Sequence, residues 1–209
     1  MDITIVGAGQ VGRNVGRGLS RAGHKVAFAV REPSKIAELL EDTKARVVPI
    51  EEPPHTDLVL LATPFSALAE LTSTPAHYAG KIVIDATNPL SFDANGPRVR
   101  DDIRQGPGSG AEWLAERLPD AKIVKAFNTH GAELNTTARV QDVPADGYLA
   151  GDDADARAQV EALMEGLGFA PVDLGGLTNA RVMEAIAVLW IHQAMVAKRG
   201  RNIAIKVIS

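Results

Sequence analysis

The chain has 209 residues, of which 45% are hydrophobic and 23% charged, enough apolar material for one well-packed domain of ordinary composition. A formal net charge of -4 argues against nucleic acid as a partner, because a phosphate backbone needs a basic face. With no cysteine there are no disulfides, thiolate nucleophiles, iron–sulfur clusters or cysteine zinc sites, and no metal is expected. Met1 leads straight into an apolar strand and no apolar run approaches ~18 residues. Neither a signal peptide nor a membrane span is therefore expected, and a cytoplasmic location is.

Taken in chain order, strands alternate with helices. Apolar runs predict strands at 2–6, 25–30, 46–49, 58–62, 81–85, 122–126, 148–150 and 171–174. The first, fourth and fifth are nearly unbroken apolar runs, as in parallel strands buried on both faces. Amphipathic patterns predict helices over 10–21, 34–41, 65–73, 109–117, 154–167 and 178–198. Gly23 fits a helix stop, Ser109 and Glu112 the spacing of a capping box, and Asp152 and Asp153 the start of the fifth helix. Between 91 and 108 the pattern predicts a long polar loop with Arg98, Arg100 and Arg104, read as a solvated connection or an anion-contacting lid. This alternation points to an α/β fold, a doubly wound parallel sheet.

The first strand runs into Gly7-Ala-Gly9-Gln-Val-Gly12, a G-x-G-x-x-G between strand and helix with a second strand beyond. In that context Gly7 permits the tight turn, Gly9 lets a pyrophosphate approach the backbone, and Gly12 allows close helix–strand packing. The free N–H groups at Gln10 and Val11 offer a partial positive charge to phosphates. A dinucleotide-binding Rossmann unit is the reading, with Gly7, Ala8, Gly9, Gln10, Val11 and Gly12 as its phosphate loop. Past the second strand stand Arg31, Glu32, Ser34 and Lys35. An arginine there suits a 2′-phosphate, and Arg31, Ser34 and Lys35 favour NADP(H); Glu32 competes as the acid that would select NAD.

Ligands of open α/β sheets lie outside the carboxyl ends of the strands. Three later strand ends supply Ala62, Thr63, Pro64 and Phe65, then Thr87, Asn88, Pro89 and Leu90, then Asn128, Thr129 and His130. Hydroxyl and amide groups between apolar walls suit the positioning of a flat ring. His130 is a candidate substrate contact, and Asp85 a candidate cap for Thr87 or Asn88. No metal cluster, triad or carboxylate pair is discernible. A hydride passed between two flat rings needs no protein acid or base, so the thin inventory fits direct transfer to a second redox ring. Reduction of a small imine or keto substrate is the alternative and would draw on Lys125 or His130. A non-catalytic NADP(H)-binding sensor is the third reading.

The pieces Val6–Gly12, Arg31–Lys35, Asp85–Leu90, Ile123–Thr129, Gly151–Asp153 and Asp173–Arg181 together resemble the NADPH-dependent coenzyme F420 reductases, the F420:NADP oxidoreductases. The resemblance implies a dinucleotide-binding domain over residues 1–130 and a small C-terminal α/β portion over 131–209 that closes the cleft. It implies NADP(H) as cofactor and a deazaflavin, coenzyme F420, as acceptor, with flavin or ferric iron for some relatives. By matched position Thr63, Pro64, Phe65, Asn88, Pro89, Asn128 and Leu177 would line the cleft. It also implies a homodimer. The 178–198 helix independently suggests one, being apolar nearly all round, with Trp190 or Met195 expected near the interface.

Overall fold

Strand β1 (Asp2–Val6) pairs in parallel with β2 (Lys25–Val30) on one side and β4 (Leu58–Leu61) on the other. That places the turn after β1 at the point where the sheet's winding reverses. The computed structural model describes residues 1–52 and 54–208. Helix α1 (Gln10–Arg21) links β1 to β2; α2 (Ala37–Thr43), entered through a tight 3-10 turn, leads to β3 (Arg46–Pro49). Another 3-10 turn and α3 (Leu68–Leu71) join β4 to β5 (Ile82–Asp85). Then come β6 (Leu90–Asp93), β7 (Gly96–Val99), α4 (Asp101–Gln105), α5 (Gly110–Arg117), β8 (Lys122–Ala126) and α6 (Leu134–Thr137). A small hairpin of β9 (Arg139–Val140) and β10 (Val143–Pro144) precedes β11 (Asp146–Gly151), α7 (Ala154–Gly166), β12 (Ala170–Asp173) and α8 (Ala180–Ile191).

The main sheet has eight strands in the order β12-β11-β8-β5-β4-β1-β2-β3 and is continuous across residue 130. It is the expected doubly wound α/β sheet with one difference: β11 runs antiparallel to β8. The connection between those two strands holds only α6 and the β9–β10 hairpin. No crossover helix returns the chain to the opposite end of the sheet, and a parallel pairing requires one. The β11-α7-β12 unit does have its helix and is parallel.

The central strands feed two apolar layers, which is why they read as unbroken hydrophobic runs. Ile3, Ile5, Phe28, Leu60, Ile84 and Val124 pack against Val15 and Leu19 of α1, Leu39 of α2 and Leu163 and Met164 of α7. Val6, Val59, Leu61, Val83 and Ile123 face Leu68 of α3, Ala111 and Leu114 of α5 and Ala180 of α8. The packing under α1 is close: a Cβ at Gly16 would stand 2.4 Å from the Phe28 ring.

The capping signals hold. Ser109 Oγ accepts from Glu112 N at 3.1 Å, Asp153 Oδ1 accepts from Ala156 N at 2.8 Å, and Gly23 adopts φ +85° after α1. The expected long loop does not form. Residues 90–99 make the β6–β7 hairpin and 101–105 make α4. Its three arginines are bound internally, Arg98 to Asp93 at 2.6 Å, Arg100 to Asp102 at 2.7 Å and Arg104 to Asp101 at 3.0 Å. These are exposed surface pairs on the hairpin and α4, as in a solvated connection.

Candidate functional site

The turn after β1 is shaped by its glycines. Gly7 has φ +96°, and a Cβ there would lie 2.8 Å from the Ala62 carbonyl oxygen. At Gly12 a Cβ would lie 2.2 Å from the Gly7 carbonyl oxygen, so helix and turn can meet only without a side chain. At Gly9 it would meet nothing within 4 Å. Gly9 therefore opens onto free space while its two companions are packed shut. It is also the N-cap of α1, with no side-chain cap and no acid in the first turn. The first N–H groups of this 12-residue helix are capped by no side chain, the arrangement that receives an anion.

Beside this turn lies a cavity of about 310 Å³ lined by Gly7, Ala8, Val30, Arg31, Lys35, Thr63 and Pro64, among others. Arg31 pairs with Glu70 at 2.9 Å; both side chains are more than half exposed, so the pair is weakly held. Glu32 also lines the cavity, but its carboxylate is taken by Lys35 at 2.7 Å. Ser34 is exposed and is not among the lining residues. Arg13 is among them, foreshadowed in the sequence only as a basic residue one turn into α1. Its Nε donates to the Ala8 carbonyl at 2.7 Å and its Nη2 to the Lys35 carbonyl at 2.9 Å, tying the phosphate loop to the segment after β2.

At the ends of β4, β5 and β8 the structure brings Thr63, Thr87, Asn88, Asn128, Thr129 and His130 to one end of the sheet. Asn128 Nδ2 donates to Asn88 Oδ1 at 3.0 Å, and Asn88 Nδ2 donates to the Asn128 carbonyl at 3.2 Å. Phe127 takes φ +62°, a left-handed conformation uncommon for an aromatic residue, immediately before Asn128. Thr63 Oγ1, Thr87 Oγ1 and Asn128 Oδ1 are all buried with no hydrogen-bond partner. Buried polar atoms are ordinarily paired, so these three are available to a polar ligand at the tips; Ser20 Oγ, His130 Nδ1, Asn135 Nδ2 and Glu184 Oε2 are unpaired as well. Phe65, its ring tilted against Trp113 at 5.1 Å between centres, Pro64, Pro89 and the half-buried Leu90 give the apolar walls.

His130 is buried and turned inward. Its Nε2 meets Asn135 Oδ1 at 2.9 Å and its ring lies 4.7 Å from Phe169. Burial pushes its pKa down to about 4, so the imidazole is neutral through the physiological range. Leu177 is not brought to the strand tips. It is buried among Ala180, Leu114 and Ile123, with its N–H on Asp152 Oδ1 at 2.8 Å, near the start of β8 rather than its end. Leu177 opens the 3-10 turn that leads into α8.

Beneath the tips is an ion cluster that the sequence disclosed only in part. Lys125 Nζ, fully buried, donates to Asp85 at 2.8 Å, to Glu184 at 3.0 Å and to the Thr87 carbonyl at 2.6 Å. Burial opposes its charge, but the two carboxylates outweigh it and hold the pKa above the usual lysine value. Burial pushes Glu184 up. Asp85 Oδ1 also accepts from Thr87 N at 2.9 Å, the capping role anticipated for it. Every donor of Lys125 is spent, so it is not a free acid facing a ligand. Among the described residues there is no group of three or more His, Asp or Glu that could hold a metal, and no helix long and apolar enough to cross a membrane.

A doubly wound sheet with an uncapped glycine turn at its winding reversal and orphaned polar atoms on the next strand tips defines a dinucleotide-binding α/β protein. Residues 2–89 match the family described as NADP oxidoreductase, coenzyme F420-dependent. The F420-dependent NADP reductase of Methanothermobacter marburgensis is 32% identical over 224 residues, covering 99% of this chain and 98% of that protein. The metalloreductase STEAP3 of Rattus norvegicus is 30% identical over 188 residues, 88% of this chain; the chain spans only 36% of that relative's length. A solved structure of a proposed F420-dependent NADP reductase from Arthrobacter sp. FB24 superposes with a TM-score of 0.88 at 29% identity, covering all of both chains. The chain belongs to the coenzyme F420-dependent NADP oxidoreductase family.

Proposed function

We propose that the protein is an NADP(H)-dependent oxidoreductase that moves hydride between NADPH and a second redox ring, with coenzyme F420 as the acceptor. The observation that carries this reading is the row of unpartnered Thr63, Thr87 and Asn128 oxygens beside an uncapped phosphate turn. Bound there, NADPH supplies the hydride, and the protein's own work is to hold the two rings face to face.

The N–H groups of Gly9, Gln10 and Val11 take the pyrophosphate. Arg31 and Lys35 take the 2′-phosphate by exchanging Glu70 and Glu32 for it, and Arg13 fixes the loop between them. Ala62, Thr63 and Pro64 with Thr87, Asn88 and Pro89 hold the nicotinamide end. Phe65, Leu90, Asn128 and Thr129 border the acceptor. His130, neutral above about pH 4, gives this site no imidazolium to protonate a keto or imine product. Leu177 and Ser34 have no part in this reading.

The same reading includes a homodimer, supported by the exposed apolar side chains of Val182, Leu189, Met195 and Val196 on and just after α8. Trp190 is not among them: it is buried, and its Nε1 donates to the Ile203 carbonyl at 2.8 Å. A cytoplasmic location goes with it, in keeping with a chain that has no cysteine to pair. The test is NADPH and NADH oxidation by purified protein with coenzyme F420, FMN and ferric chelates as acceptors. Turnover of NADPH with coenzyme F420 well above the others supports the reading; turnover with a ferric chelate alone replaces the acceptor, and none with any acceptor removes the activity.

A further inference from the structure

Residues 197–208 have no regular secondary structure, yet they are tightly fastened. They follow a π-helical turn (His192–Val196) that extends α8 and return across the molecule as a strap. Trp190 holds Ile203 by the bond just described, and Ala204 packs against the core. At its far end Lys206 Nζ reaches Asp146 Oδ1 at 2.6 Å, and Val207 N donates to Asp146 Oδ2 at 2.7 Å. Midway, Arg201 Nε donates to Glu133 Oε1 at 2.6 Å and its guanidinium lies 5.6 Å from the centre of the Trp190 ring. Its Nη2 meets Gln10, the first residue of α1, at a long 3.4 Å.

We propose that Arg201 is a phosphate clamp: its guanidinium closes on the pyrophosphate of a dinucleotide seated at the start of α1. The proposal rests on the NADPH-binding reading above. Glu133 occupies one edge of the guanidinium and Trp190 lies against it. Both leave the Nη edge turned toward Gln10, where it holds only a neutral amide at the limit of hydrogen-bond distance. A bidentate anion is a far better partner for that edge than a glutamine oxygen. The other cations around the loop have other roles in that reading, Arg31 and Lys35 being assigned to the 2′-phosphate. Arg13 is bound to two backbone carbonyls on the adenosine side, and Arg31 and Lys35 stand with Glu70 and Glu32. With no acid in the first turn of α1, nothing there repels an anion, and an anion seated at the helix N–H groups would also offset the repulsion between that positive helix end and Arg201. The strap thus brings a residue from the end of the described chain to the beginning of it, so that the cofactor is held from both sides.

The experiment titrates NADPH and adenosine 2′-monophosphate, which lacks the pyrophosphate, against the unsubstituted protein, Arg201→Gln and Arg201→Lys. Loss of a charged hydrogen-bonding partner predicts NADPH binding weakened roughly tenfold to hundredfold in Arg201→Gln. Binding of adenosine 2′-monophosphate stays within about twofold, and Arg201→Lys recovers part of the NADPH affinity. Unchanged NADPH affinity in Arg201→Gln overturns the clamp. So does an equal loss for both ligands, which makes the strap a structural support only. Failure of the unsubstituted protein to bind NADPH is a different result and removes the reading on which the clamp rests.

Discussion

Asn88 and Asn128 hold each other across two strand tips, side-chain amide to side-chain oxygen at 3.0 Å one way and side-chain amide to backbone carbonyl at 3.2 Å the other. This pair locks the end of β5 to the end of β8 while leaving Asn128 Oδ1 unclaimed. Asn88→Ala removes both bonds and leaves the Asn128 amide without its acceptor, a cost of about 1–3 kcal/mol for a buried group. A fall in kcat of roughly tenfold or more, with only a few degrees lost in Tm, is expected from steady-state NADPH oxidation and thermal melting. Wild-type turnover in this variant would mean that the tips position nothing.

Cofactor choice should rest on Arg31. Its ion pair with Glu70 is exposed and contributes little to stability, so the guanidinium is available. Arg31→Glu sets a carboxylate against the 2′-phosphate, and about 2–3 kcal/mol of NADPH binding is lost with little change for NADH. Parallel titrations with both cofactors decide it, since equal losses would detach Arg31 from the 2′-phosphate.

Two glycines of one turn should behave oppositely. Gly9→Val adds a side chain in open space, so the variant folds as the parent does but no longer admits the pyrophosphate. Gly12→Ala drives a methyl to 2.2 Å from the Gly7 carbonyl oxygen, so α1 must shift and stability drops before binding is considered. Circular dichroism melts beside NADPH titrations separate the two effects. A Gly9→Val protein that still binds NADPH tightly would move the phosphate site elsewhere.

His130 couples the site to pH through stability rather than through chemistry. Its folded pKa of about 4 lies below the unfolded value of 6.5, so the unfolded chain takes up the proton first. The stabilisation is complete above pH 6.5 and is lost as pH falls from there toward 4, amounting to at most about 3 kcal/mol. His130→Phe should flatten this part of the stability profile in denaturant titrations between pH 4 and 7. His130→Ala should slow turnover by less than ~100-fold, below the usual contribution of a general acid. A larger loss would give the imidazole a proton to deliver and revive the keto or imine reading.

The strands were legible because a doubly covered parallel strand has no polar face, and β1, β4 and β5 read as apolar runs for that reason. The phosphate turn was legible because backbone geometry there admits glycine and little else. The β6–β7 hairpin was missed although Asn95-Gly96 is a common hairpin mark, because charge and proline around it imitated a loop. Glu184 was hidden in a different way. It sits 59 residues from Lys125 on a helix otherwise rich in aliphatic residues, and only the fold brings the two together. Leu177 shows the limit of matching motifs by position: its side chain packs in the core beside Ala180, away from the strand tips.

Assembly can be tested on α8 itself. Val182 and Leu189, seven residues apart on α8, are 52% and 48% exposed, and Val196 in the π turn that follows (192–196) is 48% exposed beside Gly96 of the hairpin. Met195 at 56% and Phe92 of the β6–β7 hairpin at 68% add to the exposed apolar surface. The core covers the opposite face of the helix through Met183 and Ala187, and the strap covers Trp190, so this stripe is what remains uncovered. An exposed apolar seam on a helix is the ordinary material of a two-fold interface, where each copy presents the same stripe to the other. Light scattering during size-exclusion chromatography should give the mass of two chains at micromolar concentration. Leu189→Glu puts a charge at the centre of the seam and should yield a folded single chain, because the site is exposed in one copy and buried only between two. A single-chain mass for the unsubstituted protein would rule out the homodimer, and a dimer undisturbed by Leu189→Glu would put its interface on another face.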